Sequence, residues 1–169
     1  MAPAFELYFE AVKQVRLKLM RATAALDSAG IAYAIIGGNA VAAWVADKDP
    51  AAVRTTRNVD VMVRRADHDA VVVAMESAGF DTHRVRRFLI FTSPEDPNRR
   101  NGVHVIFSGE KVLPSYSHAT PDVGGAVRSS DGYLVLDIES LLVMKLTSFR
   151  DRDRAHIRDM LSVGAVSGD

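Results

Sequence analysis

RTTRNVDVMV, residues 54–63, is the stretch on which the fold turns. From position 58 it alternates strictly, so Asn58, Asp60 and Met62 share one face of an expected strand while Val59, Val61 and Val63 take the other. A carboxylate in the middle of so apolar a strand needs a partner, and a metal ion, Arg54 and Lys145 are the candidates. Two positions earlier, on the same face, stands an asparagine. Two carboxylates at i and i+2 would together hold divalent cations; Asn58 offers only a neutral carbonyl oxygen beside Asp60.

Upstream, the apolar run IAYAII (31–36) reads as a buried strand that stops at Gly37-Gly38, after which NAVAAWVAD (39–47) takes up a helical pattern with Asn39 available as its cap. A glycine pair between strand and helix lets the backbone approach a phosphate closely. The free N–H groups of the helix start favour an anion there. In isolation such a pair is a tight turn; the polar face of residues 58–60, preceded by Arg54 and Thr56, is what turns it into a candidate site. Earlier still, Phe5, Tyr8, Phe9, Val12, Val15, Leu19, Ala22 and Leu26 recur every three or four residues, an amphipathic helix over 4–29 that ends at Gly30.

Downstream, the periodicity predicts a helix over 66–78 closed by Gly79, then two short strands or one bent strand in FDTHRVRRFLIFTSP (80–94), with Arg84, Arg86 and Arg87 in the turn. PEDPNRRNG (94–102) is turn chemistry that links to VHVIF (103–107), a strand with His104 and Ile106 on one face. Residues 108–132 are loop-rich. YLVLD (133–137) leads into the helical stretches IESLLVMKLTSFR and AHIRDMLSVG. Between them RDRDR (150–154) reads as a solvated connection with compensating charges, and Asp151, Asp153, His156 and Asp159 read as a charged surface face.

At 169 residues, with 48% hydrophobic and 25% charged side chains, the chain is expected to be one domain, residues 1–169, with one core. Its 21 basic and 21 acidic residues cancel, so no net field advertises a nucleic acid or a membrane. Arg84, Arg86, Arg87, Arg99 and Arg100 are read as an exposed strand face rather than an RNA-binding rim, for want of interleaved aromatics. The absence of cysteine excludes disulfides, a thiolate nucleophile and a Cys-type zinc site. No signal-like start and no apolar run near the ~18 residues of a membrane span are present, so the expected location is cytoplasmic and no membrane partner is expected.

IIGGNAVAAW and RTTRNVDVMV, with the ending VMKLTSFRDRDRAHIRDM, resemble the nucleotidyltransferase superfamily related to DNA polymerase β, especially the minimal nucleotidyltransferases and AbiEii-type toxins of bacteria. The resemblance covers residues 31–64 and 137–163. It implies an α/β (α+β) fold, a short mixed sheet flanked by helices, with N- and C-terminal helices packed around it. It also implies an NTP as substrate, Mg²⁺ or Mn²⁺ as cofactor, and transfer of a nucleoside monophosphate to a hydroxyl on a protein, a tRNA or a small molecule. Gly37 and Gly38 match the phosphate-cradling pair, Asp60 matches the second metal-binding aspartate, and Asn58 stands in place of the first. Lys145 matches a helical lysine that can reach the phosphates, and Arg54 and Thr56 belong to the segment that precedes the metal pair. The third carboxylate of the family falls on VHVIF, where this chain has His104, a candidate general base.

One of three acids therefore remains. Asn58 and Asp60 are the expected metal ligands, with His104 beside them, and Glu95, Asp96 and Glu110 are the nearby acids open as a replacement. Two readings stay open on these residues: an enzyme with a weakened metal site, or a catalytically impaired member that binds a nucleotide or a protein partner, as in a toxin and antitoxin pair.

Overall fold

Residues 3–167 are described in a computed structural model, in which the helices pack around one seven-stranded mixed sheet. Helix α1 (Ala4–Ser28) closes at Gly30, whose φ of +66° is a left-handed conformation that glycine takes without strain. Only its second half is anchored: Leu19, Ala22 and Leu26 are buried, while Phe5, Leu7, Tyr8 and Phe9 stand exposed. Strand β1 (Tyr33–Ile36) is buried throughout and passes without a loop into α2 (Gly37–Ala46). Then come β2 (Val59–Val63), α3 (His68–Ser77), β3 (Asp81–Val85), β4 (Phe88–Thr92) and β5 (Val103–Phe107). Two-residue strands β6 (Val127–Arg128) and β7 (Leu134–Val135) precede α4 (Ile138–Ser148) and α5 (Asp151–Ser162).

The strand order is β3-β4-β5-β2-β1-β7-β6. At its centre β2 runs antiparallel to β1 and parallel to β5, in a register that sets Asp60 opposite Ile36 on one side and His104 on the other. Central strands bury both faces and so read as nearly continuous Val and Ile. Val59, Val61, Met62 and Val63 are all closed to solvent, as are Val41 and Val45 of α2, Leu141 of α4 and Met160 of α5. Each such side chain contributes about 1.5–3 kcal/mol when fully buried. On β2 itself the polar residues stand at the entrance, Asn58 and Asp60, where the strand begins beside the start of α2. Among the described residues no helix is long and apolar enough to cross a membrane.

Three local expectations are corrected. Asn39 does not cap α2: the helix starts two residues earlier, at Gly37, and the Asn39 amide donates instead to the carbonyl of Asn58 at 2.8 Å. That bond pins the β2 entrance to the first turn of the helix, a better use for a buried amide than a cap exposed to water. Arg84 lies within β3, not in the turn, which Arg86 makes by adopting φ +55°. The break between the last two helices falls at Phe149 (φ +41°), so most of RDRDR belongs to α5.

Candidate functional site

The positions drawn from separate parts of the sequence meet at the end of β1 and the start of β2. Gly37 takes φ +65° as the chain turns from β1 into α2, and a Cβ there would collide with Oδ2 of Asp60. A Cβ on Gly38 would press on Thr56, 3.1 Å from its Cβ. At Gly37 the left-handed backbone and the close approach of Asp60 require glycine whatever ligand the site takes, whereas at Gly38 a side chain would need Thr56 to give way slightly. The first turn of α2 has no side-chain cap, which leaves its N–H groups and the positive end of the helix dipole available.

Across from it, Asn58 Nδ2 donates to Oδ1 of Asp60 at 2.8 Å, and Thr56 Oγ1 donates to Oδ1 of Asn58 at 3.3 Å. The chain of bonds fixes the amide with its nitrogen toward Asp60 and its oxygen toward Thr56. Asn58 is thus turned as a donor to the carboxylate, not as a second oxygen ligand beside it. His104 lies in the neighbouring strand with Nδ1 3.7 Å from Asp60 Oδ1, while its Nε2 is 2.7 Å from the carbonyl oxygen of Arg99. A carbonyl only accepts, so Nε2 carries the proton and the lone pair of Nδ1 faces the site. Asp60 keeps 27% of its side-chain surface exposed. Burial nevertheless pushes its pKa up; His104 when protonated, and the charges of Lys145, Arg150 and Arg152, oppose that rise without cancelling it.

Lys145 and Arg54 are placed differently from the expectation. Lys145 is buried and donates to Asp153 Oδ1 at 3.0 Å, so its amine is committed within the α4–α5 junction. Burial lowers its pKa, and the bond to Asp153 works the other way. Arg54 reaches over to α5 and pairs with Asp159 at 2.6 Å. Of the acids open as replacements, Asp96 is bonded by Lys18 and Asn101, and Glu110 by Arg65.

The α5 run is also corrected, because it is not a wholly solvated face. Asp153 has no exposed surface and accepts from Lys145, from Ser148 Oγ at 2.7 Å and from Arg150 Nε at 2.8 Å. Its burial resists ionisation, but these donors together outweigh that cost and hold the carboxyl well below the usual range. His156, one turn on, is buried with Nδ1 lacking a partner; burial first, then the charge of Lys145, depresses its pKa to about 4. Alternating charges in sequence gave no sign of this, since a helix puts positions 153, 156 and 160 on one inward stripe.

The donor set does not fit the two-ion arrangement that the resemblance implies. Among the described residues no three His, Cys, Asp or Glu side chains gather as a metal group. Asp60 supplies one carboxylate, one of whose oxygens already accepts from Asn58, and a bridging pair is not available.

No protein-family model matches the chain, and no curated protein does. Solved structures do. The solution structure of the antibiotic-resistance factor ANT(2'')-Ia aligns over 92% of this chain and 86% of its own, at 12% identity and a TM-score of 0.60. The lincosamide antibiotic adenylyltransferase LnuA, bound to lincomycin, aligns over 96% and 98%, at 13% identity and a TM-score of 0.58. A crystal structure of ANT(2'')-Ia with adenylyl-2''-tobramycin aligns over 90% and 91%, at 13% identity and a TM-score of 0.57. These likenesses establish a nucleotidyltransferase fold.

Proposed function

We propose that the protein binds a nucleoside triphosphate where β1 meets α2 and transfers its nucleoside monophosphate to a hydroxyl of a small-molecule acceptor. The observation that carries this reading is the juxtaposition of the uncapped start of α2, at Gly37 and Gly38, with Asp60 and His104 on the neighbouring central strands. The helix start suits the phosphates. The acceptor hydroxyl oxygen attacks the α-phosphorus; a P–O bond to the acceptor forms as the bond between the α-phosphorus and its bridging oxygen breaks, and pyrophosphate leaves with the electron pair. The hydroxyl proton passes to Nδ1 of His104, whose lone pair the bond to Arg99 leaves free. The Arg99 carbonyl orients that imidazole, and Asp60, 3.7 Å from Nδ1, stabilises the imidazolium that forms. Likeness over nearly the whole chain to proteins that act on antibiotics supports a small acceptor over a tRNA or a protein side chain.

The test is transfer of label from each common NTP, radioactive at the α-phosphate, onto a panel of polyhydroxylated small molecules, with tRNA and protein extracts as controls. Product with wild type, lost in Asp60→Ala and in His104→Ala, is the expected result. No labelled product with any NTP would sink the enzyme reading.

One observation favours a second reading, an impaired member of the fold that binds a nucleotide or an antitoxin-like protein without turnover. Asn58 occupies the place of an acid and ties up the carboxylate that remains. Under this reading Asn58→Asp, with Mg²⁺ or Mn²⁺ supplied, creates transfer activity that wild type lacks. Equal turnover by both proteins argues against it.

A further inference from the structure

Lys18 is a charged side chain that the site as described does not use. It stands midway along α1, only 6% exposed, beside Leu19 in the half of the helix that packs against β2 and β5. Its amine has two partners: the carbonyl oxygen of Asn101, to which Nζ donates at 2.5 Å, and Oδ2 of Asp96 at 3.5 Å. Burying an ammonium is costly, and one partly exposed carboxylate at that distance offsets little of it. A methionine would fill the same space with no charge to desolvate. The lysine is better explained by what it holds than by what it adds to stability.

What it holds is the turn Arg99–Asn101. Asp96 accepts from Asn101 Nδ2 at 3.1 Å and from the backbone N–H of Asn98 at 3.3 Å, and Asn98 Oδ1 accepts from the N–H of Arg100 at 3.1 Å. Just after the turn, the Gly102 carbonyl accepts from the N–H of Val59 at 3.1 Å, beside Asn58. The Arg99 carbonyl accepts from Nε2 of His104 at 2.7 Å and from the N–H of Gly102 at 3.2 Å. Lys18 and His104 thus grip one three-residue turn at its two ends, through the carbonyls of Asn101 and Arg99.

The position of the Arg99 carbonyl matters because Asp60 competes for the ring. Its Oδ1 lies 3.7 Å from Nδ1 of His104, and a carboxylate attracts an imidazole N–H more strongly than a carbonyl does. With Arg99 displaced, the proton would settle on Nδ1, and the lone pair that a base needs there would be lost. We infer that Lys18 is a positioning residue: through Asn101 and Asp96 it holds the Arg99 carbonyl where it keeps the His104 proton on Nε2 and leaves Nδ1 open beside Asp60. The inference rests on the reading of His104 as the proton acceptor, but the tautomer is measured without turnover.

Nitrogen-15 NMR of the histidine rings reads it in the full chain at about pH 8, above the ordinary imidazole range, with His104→Gln to assign the resonances. Wild type is expected to show one His104 tautomer, protonated on Nε2, whose proton exchanges slowly with water. Lys18→Met should move the ring toward protonation on Nδ1 and speed loss of the Nε2 proton about tenfold; Lys18→Arg, which keeps the charge and the donors, should largely preserve the wild-type spectrum. In the label-transfer assay Lys18→Met should lower kcat about tenfold and leave KM for the NTP unchanged, since nothing that touches the nucleotide has moved. A Lys18→Met ring with the wild-type tautomer and exchange rate overturns the inference and makes Lys18 a structural residue only. Where that variant does not fold, Asp96→Asn, on the more exposed side of the turn, decides by the same two readouts. A wild-type ring protonated on Nδ1 overturns both the inference and His104 as the base. The expected spectra without transfer to any acceptor support the inference and overturn the enzyme reading alone.

Discussion

Asp153 and Asp60 are two carboxylates that the fold treats in opposite ways. Asp153 has no exposed surface and is met by Lys145, Ser148 and Arg150. Asp60 keeps about a quarter of its side-chain surface and receives one side-chain hydrogen bond, from Asn58. The pKa of the first is driven down and that of the second up. Burial opposes the charge in both; the number of donors decides the sign. A carboxylate whose bonds are all made is a structural joint, and one left short of donors beside a glycine turn and a histidine is held open for something else. The first belongs to stability; the second is the one on which the proposed chemistry rests.

The largest test of that contrast is Asp153→Ala. It leaves a buried lysine uncompensated and should cost about 3–5 kcal/mol in chemical denaturation. A loss near 1 kcal/mol would mean that Asp153 is no joint. Next comes acid. His156 is neutral in the folded protein down to about pH 4, whereas the unfolded chain protonates it near 6.5. Between those values the unfolded state binds more protons, so stability falls as pH drops through that window, by about 3 kcal/mol at most. Asp153 adds to the loss only below the ordinary carboxylate range, because its folded pKa is depressed. His156→Gln should flatten the profile between pH 6.5 and 4; an unchanged slope would assign the acid sensitivity elsewhere.

Gly37→Ala sharpens the other half of the comparison. The backbone there is left-handed and the new methyl meets Asp60 Oδ2, so a cost of about 2 kcal/mol is expected, with displacement of the carboxylate and loss of nucleotide-induced thermal shift. A variant as stable as wild type would show that the glycine is not needed for approach. The smallest effect runs in the opposite direction. A group whose folded pKa is raised binds protons more readily when folded, so it weakens the fold as pH rises past the ordinary carboxylate value. Asp60→Asn removes that burden and should raise stability at pH 7 by about 1 kcal/mol while abolishing function, the usual trade at an active centre. A destabilised Asp60→Asn would place Asp60 with Asp153, among the joints.

Much of the frame was legible in the sequence, because strict alternation at 58–63 and the three-and-four spacing of α1 each admit one secondary structure. The grouping of Gly37, Gly38, Thr56, Asn58, Asp60 and His104 was also legible, as a match to a family pattern, and the register of β1, β2 and β5 brings them side by side. The α4–α5 junction was not. Nothing local in RDRDR separates a solvated aspartate from one with no exposed surface, and nothing in VMKLTS shows that the amine of Lys145 turns inward to meet it.

The sequence by itself determined most of the elements, the glycine turn and the company of Asp60, an asparagine and a histidine rather than further acids, since these depend on residue type and on spacing along one chain. The tertiary structure decided which polar groups satisfy one another. It gave Lys145 to Asp153 and Arg54 to Asp159, and it turned the Asn58 amide toward Asp60. Partnership between charges is a matter of distance in space, and residues 54 and 159 become neighbours only when α5 folds back onto the core.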